Sequence, residues 1–149
     1  MGDNGGWRTY LISTTKNTID QTKIFDQVKD DSCGAIISFT GLVRDHNSKG
    51  KVEGIFYEAY NEMVEEILKN IEKEVFKKWN IKKFIAVHRT GDLQVGEISV
   101  IVAVSSEHRK DAFEACSYGI ENIKKRCPIW KKEKTQFGNE WIEGVKISE

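Results

Sequence analysis

Three stretches with helical spacing separate short β-rich segments, and this order limits most strongly which folds the chain can adopt. Apolar residues recur three and four positions apart in each helical stretch, whereas the segments between them are β-rich and apolar. One strand precedes the first helix and two strands follow each helix. Because paired strands favour hairpins, we predict an α+β fold with a mixed or mainly antiparallel sheet and three helices. The helices are predicted over 19–29, 61–79 and 106–126, and the strands over 7–13, 33–43, 52–60, 83–89, 97–105, 129–134 and 140–142.

Two polar turns shape the predicted connections. Residues 44–51 contain Asn47, Ser48 and Gly50, so we predict a hairpin between the strands over 33–43 and 52–60, with Arg44 in its loop. The glycine-containing segment QFGN links the last two strands as a closing hairpin. Asn61 and Ser106 are the residue types that cap helices, and we predict that they begin the second and third helices.

Length and charge narrow the class of protein. The chain has 149 residues, which favours a single domain over 7–149, and the glycine-rich residues 1–6 are expected to form a disordered tail. Its 23 basic and 23 acidic residues balance, which argues against general binding to nucleic acid or to an anionic membrane. We find no apolar run of the ~20 residues that a membrane helix needs and no signal-peptide pattern, so we expect a cytoplasmic protein.

The cysteines exclude two common structural devices. Cys33, Cys116 and Cys127 are an odd number without a CxxC pair, which argues against a disulfide framework and a zinc ribbon. Cys33 and Cys116 are predicted to be small core residues. For Cys127 a reactive thiol is an open hypothesis, since the neighbouring Arg126 favours the thiolate. No set of side chains has metal-ligand spacing, so we predict neither a metal nor a cofactor.

The basic stretch 124–134, KKRCPIWKKEK, is the most informative part of the chain for function. It holds six cations and one acid in eleven residues. Pro128 cannot continue a helix, so the first three cations close one helix and the rest lie on the element that follows. Two basic elements at a bend favour an anion-binding wall, and we expect neighbouring cations to destabilise the ammonium form of a lysine there, with Lys124 and Lys131 as the candidates. The alternative is a set of flexible solvated amines.

Three further positions carry weaker signals for an anion site. His108 and Arg109 lie in the first turn of the third helix, where the helix dipole disfavours positive charge. A bound anion would account for two cations at this position. Compensation by Glu107 is the alternative reading. Arg44 and His46 lie on a loop after a strand, either at a binding site or in solvent. His88 is predicted to be structural.

Read together, four segments resemble the catalytic, large subunit of molybdopterin synthase, the MoaE family. The segments are FTGLVRDHN (39–47), HRTGDL (88–93), SSEHRKDAFEA (105–115) and IKKRCPIWKKE (123–133). They occur in the family's order and at closely similar spacing, and the similarity runs from about residue 34 to 144. The resemblance implies a hammerhead-like α/β domain with a small β subdomain.

The resemblance also implies a reaction. Members of this family convert cyclic pyranopterin monophosphate into molybdopterin by installing two sulfurs, in molybdenum cofactor biosynthesis. The sulfur is carried as a thiocarboxylate on the C-terminal Gly-Gly tail of a small ubiquitin-like subunit. The large subunit forms a homodimer that binds one small subunit at each end, giving a heterotetramer. A substrate pocket shared between both large subunits is compatible with this assembly.

By motif, the resemblance assigns roles to named residues. Lys124 and Lys131 become the catalytic pair, with Lys124 nearest the thiocarboxylate and Lys131 holding the pterin or moving a proton. The remaining substrate-binding positions are Leu42, Val43, Arg44, His108, Arg109, Lys132 and Glu133. Leu42 departs from the family pattern, in which a basic residue is common, and Arg126 matches without a defined role.

Three alternatives remain open from the sequence. A nucleic-acid-binding module would use the basic bend and Trp130, yet it lacks a net positive charge. A non-catalytic scaffold would only dock a ubiquitin-like carrier. A phosphoesterase would need metal ligands or a nucleophile set that the sequence does not offer.

Overall fold

The computed structural model describes residues 11–142. The tail predicted over 1–6 lies outside the described residues, as does most of the strand predicted over 7–13. The elements in chain order are β1 (Ile12–Thr15), α1 (Gln21–Val28), β2 (Ala35–Leu42), β3 (His46–Asn47), β4 (Gly50–Lys51), β5 (Gly54–Ala59), α2 (Asn61–Lys78), β6 (Ile81–Arg89), β7 (Gly91–Gln94), β8 (Ile98–Ser106), α3 (Arg109–Arg126), β9 (Ile129–Thr135) and β10 (Gly138–Ile142).

The strands form one mixed sheet, one antiparallel sheet and a two-stranded ribbon. The first sheet has the order β1-β6-β8-β2, with β1 parallel to β6 and the other pairs antiparallel. The second has the order β10-β9-β5-β7 and is antiparallel throughout. The three helices pack on the first sheet, so the second sheet forms a smaller β subdomain. The predicted α+β class is confirmed.

The predicted hairpin between 33–43 and 52–60 is wrong. β2 pairs with β8 in the first sheet, whereas β5 pairs with β7 and β9 in the second sheet. The chain changes sheets at Val43, whose amide donates to the Glu97 carbonyl at 3.0 Å. The turn closes instead as the short ribbon of β3 and β4, with the Val52 amide donating to the Asp45 carbonyl at 2.8 Å.

The helices cover the two faces of the first sheet unequally. α2 and α3 bury one face with a large apolar cluster, and the short α1 covers part of the other. α3 packs closely because Gly119 faces the sheet; a Cβ there would lie 3.0 Å from the Phe84 ring. Phe113 of the same helix does not face the sheet and is 57% exposed. Within residues 11–142, no helix is long and apolar enough to cross a membrane.

Both predicted helix caps are displaced. Tyr60 occupies the N-cap of α2, and Asn61 is its first helical residue. β8 continues through the buried Ser106, whose hydroxyl donates to the His108 carbonyl at 2.5 Å. His108 therefore takes the N-cap of α3. The closing hairpin of β9 and β10 is confirmed, as is the end of α3 at Arg126 ahead of Pro128.

Candidate functional site

The predicted site residues divide between the two ends of the first sheet. In the antiparallel pair of β2 and β8, Leu42 lies opposite Ile98 and Ala35 lies opposite Ser106. α3 follows β8 and runs back along the sheet, since the thiol of Cys116 bonds the Val102 carbonyl at 3.5 Å. Residues 42–44 thus share an end with the last turn of α3, while 108 and 109 lie at the other end.

One continuous helix separates the two groups of cations. Arg109 is the first residue of α3 and Lys124 lies in its last turn. Fifteen residues at 1.5 Å per residue give about 22 Å along the helix axis. A single chain therefore does not bring His108 and Arg109 together with Lys124 and Lys131.

Lys124 and Lys131 lie on either side of the bend that Pro128 makes. α3 ends, the Ile129 amide donates to the Cys127 carbonyl at 2.9 Å, and β9 begins. Desolvation lowers the pKa of Lys124, and the positive charge of Lys131 lowers this pKa further. The charge of Lys131 on β9 thus acts on the amine of Lys124 across the bend. Within residues 11–142, no group of three His, Cys, Asp or Glu side chains is placed to hold a metal ion.

β9 sends its alternate side chains to opposite faces of the second sheet. Lys131 lies opposite Tyr57, and Glu133 lies opposite Ile55, on the face where Tyr57 packs against His88 of the first sheet. Lys132 lies opposite Trp141 on the other face, with its amine 4.6 Å from the indole ring centre. The structure therefore separates Lys132 from Lys131, although they are neighbours in sequence.

Glu133 ties the Arg44 loop to β9. Its side chain is buried, and its Oε1 accepts a hydrogen bond from Asn47 Nδ2 at 2.6 Å. The Asn47 side-chain oxygen accepts from the amides of Lys49 and Gly50, which fixes the turn. The carboxylate is thus engaged within the protein and acts as a support for the loop.

Residues 42–44 differ in what they can offer to a ligand. The Leu42 side chain is 57% exposed and Arg44 is exposed. Val43 is buried, its amide bonds Glu97, and its carbonyl accepts from the Gly96 amide at 2.8 Å. Of these three residues, Arg44 is therefore the one with an exposed, charged side chain that can bind an anion.

His108 and Arg109 are exposed at the start of α3. With Lys110, Phe113 and Glu114 they line an open pocket of about 360 Å³. Asp111 lies in the first helical turn, where its negative charge suits the helix dipole. The two predicted phosphate ligands are thus together, but away from the lysine pair.

Sequence reasoning did not connect two buried groups, His88 and Tyr57, with the lysines. His88, predicted to be structural, is buried at the end of β6, close enough to Lys124 for that charge to act on its ring. Tyr57 is buried between His88 and Lys131. The HR pair at a strand end was visible in the sequence, but its position beside the last turn of α3 depends on packing.

The reactive-thiol reading of Cys127 is wrong. Burial raises the pKa of this thiol to about 12, although Arg126 lowers it. Cys116 is buried as predicted, and burial raises its pKa to about 11. Cys33 is only partly buried, which corrects its assignment to the core.

Comparisons with known proteins agree on one family. A family model described as MoaE protein matches residues 14–126. The chain is 44% identical over 117 residues to the molybdopterin synthase catalytic subunit of Pyrococcus abyssi, covering 78% of this chain and 79% of that protein. It is 41% identical over 128 residues to the protein of the same name from Bacillus subtilis, covering 86% and 82%.

Solved structures share the fold. The crystal structure of molybdopterin synthase from Staphylococcus aureus has a TM-score of 0.85 at 39% identity, covering 89% of this chain and 96% of that chain. A complex of subunits 1 and 2 of the molybdopterin-converting factor from Helicobacter pylori has a TM-score of 0.77 at 18% identity, covering 91% and 94%. This second likeness concerns the fold alone.

Proposed function

The chain belongs to the MoaE protein family and acts as a molybdopterin synthase catalytic subunit, and on this premise we propose how its cations perform the reaction. The substrate is cyclic pyranopterin monophosphate, and the sulfur donor is a thiocarboxylate on the tail of a small ubiquitin-like subunit. Both are anions, which accounts for the basic residues at the bend. The nucleic-acid-binding and scaffold alternatives are not favoured.

Lys124 and Lys131 form the catalytic pair in this proposal. Lys124 orients the thiocarboxylate and stabilises the oxyanion that forms when its acyl carbon is attacked. A positioned charge of this kind is typically worth about 3 kcal/mol in a dry site. Lys131 holds the pterin or moves a proton as sulfur replaces oxygen. The observation that supports the proposal is the bend at Pro128, with Lys124 in the last turn of α3 before it and Lys131 on β9 after it. The charge of Lys131 also lowers the pKa of Lys124.

We further propose that a second copy of the chain completes the site. The phosphate ligands of the proposal, His108 and Arg109, lie about 22 Å along α3 from Lys124. One small-molecule substrate can contact both groups only if they come from different subunits. The functional unit is then a homodimer, with Arg44 and the exposed Leu42 as a wall beside the lysines.

The supporting positions take different parts in the proposed pocket. Glu133 lines the pocket as a buried carboxylate, and its hydrogen bond from Asn47 holds the loop that carries Arg44. Val43 holds Leu42 and Arg44 in position, because its amide and carbonyl are both bonded to residues 96 and 97. Lys132 faces Trp141, so we place it at the border of the site, where it meets the partner's tail rather than the pterin.

The proposed partner is a small sulfur-carrier subunit, one bound to each end of the homodimer to give a heterotetramer. The Helicobacter pylori protein of the same fold is described as a complex of two subunits. The proposed compartment is the cytoplasm, where the free Cys33, Cys116 and Cys127 stay reduced.

The reaction is tested directly by mixing the purified protein with a thiocarboxylated carrier and the cyclic pterin. Mass spectrometry should detect the dithiolene product. Lys124→Ala and Lys131→Ala should each abolish most turnover while leaving the fold intact. Lys125→Ala is the matched control, because it removes a neighbouring exposed charge from the same helical turn. Near-normal turnover by either of the first two variants would refute the role of that lysine.

A further inference from the structure

β2 closes one side of the first sheet with an edge that carries no charge. In the order β1-β6-β8-β2 it pairs with β8 on one side, and among residues 11–142 no strand pairs with its other side. Its eight residues, AIISFTGL, include neither a charged residue nor a proline. Natural proteins use such residues to keep free edges from pairing, so a long uncharged edge is a template for another strand. Phe39, in the middle of β2, is 38% exposed.

The outer flank of α3 lies beside this edge. α3 packs on both β2 and β8, and its other flank contacts α2 through Tyr118 and Arg126. Residues three and four positions apart share one face of a helix. On the flank away from α2, this spacing gives the α3 stripe, which consists of Arg109, Phe113, Ser117, Ile120 and Lys124. Phe113 is 57% exposed and Ile120 is partly exposed, so the stripe has apolar side chains between a cation at each end.

The middle of the α3 stripe lies over the middle of β2. The Cys116 thiol donates to the Val102 carbonyl at 3.5 Å, and Val102 lies opposite Phe39 in the register of β2 and β8. Cys116 lies near the midpoint between Arg109 and Lys124, and Phe39 lies near the midpoint of β2. Because the strand edge and the stripe are centred on the same point, one two-fold axis there pairs each of them with its own copy.

We propose that the edge of β2 and the α3 stripe bind a second copy of this chain, around a two-fold axis that passes beside Phe39 and Ser117. The two β2 strands then lie antiparallel, and two four-stranded sheets join into one sheet of eight strands. Since α3 lies over β2 and β8, its two copies are separated by two strand spacings, or about 10 Å. Packed helices are found at this separation.

This arrangement accounts for the cations at both ends of α3. In an isologous contact between antiparallel helices, Phe113 packs against Ile120 of the second copy, and Arg109 lies beside the end that carries Lys124. Like charges that face each other across an interface repel, so an anion is needed between them. The substrate phosphate supplies that anion in each of two equivalent sites. This consequence rests on the proposed function, whereas the surface itself follows from β2 and α3.

Analytical ultracentrifugation of the protein alone tests the surface without substrate. The parent should sediment as a dimer. Phe113→Glu places a charge within the α3 stripe and Phe39→Lys places one on the edge of β2, so each should raise the dimer dissociation constant at least about 100-fold. Phe76→Glu is the matched control, because it changes an exposed phenylalanine of α2 in the same way. It should leave the dissociation constant unaltered.

Cross-linking tests the position of the two-fold axis. In a Cys33→Ser background, Ser117→Cys places two thiols beside the axis, and a short bismaleimide should join them into a covalent dimer. Lys73→Cys places one exposed thiol on α2 in the same background and should give no covalent dimer. Mass spectrometry of the tryptic peptides identifies the linked residues.

Folding and catalysis need separate readouts. Near-ultraviolet circular dichroism checks each fold, and Phe113→Ser and Phe39→Thr replace the charged variants if these do not fold. Unaltered dimers in a folded variant at either position overturn the proposal, as do a monomeric parent and linkage at 73 as efficient as at 117. Dimers held by this surface that yield no dithiolene in the synthase assay would instead contradict the proposed function and leave the surface in place.

Discussion

Arg126 binds Glu74 through two parallel hydrogen bonds, from Nη1 to Oε1 at 2.7 Å and from Nη2 to Oε2 at 3.0 Å. The Tyr118 hydroxyl donates to the same Oε1 at 2.7 Å, and Arg126 Nη1 also donates to Asn122 at 3.2 Å. The pair joins the last turn of α3 to α2. Because Lys124 lies in that turn, the pair fixes the helix end from which the proposed catalytic amine projects. Arg126, which matches the family motif without a defined role, has a structural role here.

Arg126→Ala should lower the free energy of unfolding by about 1 kcal/mol, since a bidentate pair whose side chains are only a third exposed is worth more than an ordinary surface pair. Urea denaturation at neutral pH measures the change. Arg126→Lys keeps the charge and loses the paired geometry, so its effect should be smaller. Lys125→Ala removes an exposed charge one position away and should change the free energy of unfolding little. Equal effects of the three changes would contradict the role of the pair.

The same pair makes stability depend on pH in acid. Hydrogen bonds from Arg126, and then from Tyr118, hold the pKa of Glu74 below its usual 4.5. A carboxyl with a lower pKa in the folded state stabilises the protein above its unfolded-state pKa, and the gain disappears as pH falls through the folded-state value. Glu74→Gln should therefore be less stable than the parent at pH 7, with a difference that shrinks below about pH 4.5. Urea midpoints across this range measure it, and a constant difference would contradict the assignment.

Thiol reactivity should distinguish Cys33 from the two buried cysteines. Burial raises the pKa of Cys116 to about 11 and that of Cys127 to about 12, so neither forms thiolate at about pH 8. An aromatic disulfide reagent with a coloured product should therefore react rapidly with Cys33 in the native protein. It should react with Cys116 and Cys127 only in denaturant. Cys33→Ser is the control and should lose the rapid phase. Rapid labelling of Cys127 would restore the reactive-thiol hypothesis.

Local chemistry made the helix ends and the last hairpin predictable. A proline in a helix interior removes a hydrogen bond and clashes with the preceding turn, so α3 ends before Pro128. The short connection that leads into Gly138 joins β9 and β10 as a hairpin. The partner of β2 was not predictable in this way. Its apolar pattern suits pairing with β5 as well as with β8, and the choice depends on where Val43 turns between sheets. The cap predicted at Ser106 is wrong for a similar reason, because β8 extends to Ser106 through pairing with β2 and β6.

The chemistry of the site was predictable where its residues are close in sequence. Lys124 and Lys131 lie seven positions apart on either side of one bend, so the local sequence predicts an electrostatic effect of one amine on the other. The separation of Arg109 from Lys124 was also present in the sequence, as fifteen positions on one predicted helix. The position of His88 could not be predicted from the sequence, because it depends on how α3 packs against β6 and β8.

The division of the cations between two ends of α3 gives a complementation test of the proposed homodimer. If each site takes its lysines from one chain and Arg109 from the other, Arg109→Ala and Lys124→Ala are each inactive alone. After unfolding and refolding together in equal amounts, half of the dimers are mixed, and each mixed dimer has one intact site. Turnover in the synthase assay should therefore recover to about a quarter of the parent value.

A second mixture controls for recovery caused by refolding itself. Lys124→Ala and Lys131→Ala remove two residues of the same group, so in a mixed dimer each site still lacks one lysine. Turnover should stay at the level of the single variants. Native mass spectrometry must show mixed dimers in both preparations, because only then do the two turnovers compare site composition. Mixed dimers of Arg109→Ala with Lys124→Ala that remain inactive would contradict a site shared between two chains. Suppose that turnover recovers in the mixture of Arg109→Ala with Lys124→Ala but not in the mixture of the two lysine variants. Arg109 and Lys124 of different subunits then act on one substrate, since no other pairing of the two chains supplies both residues to one site.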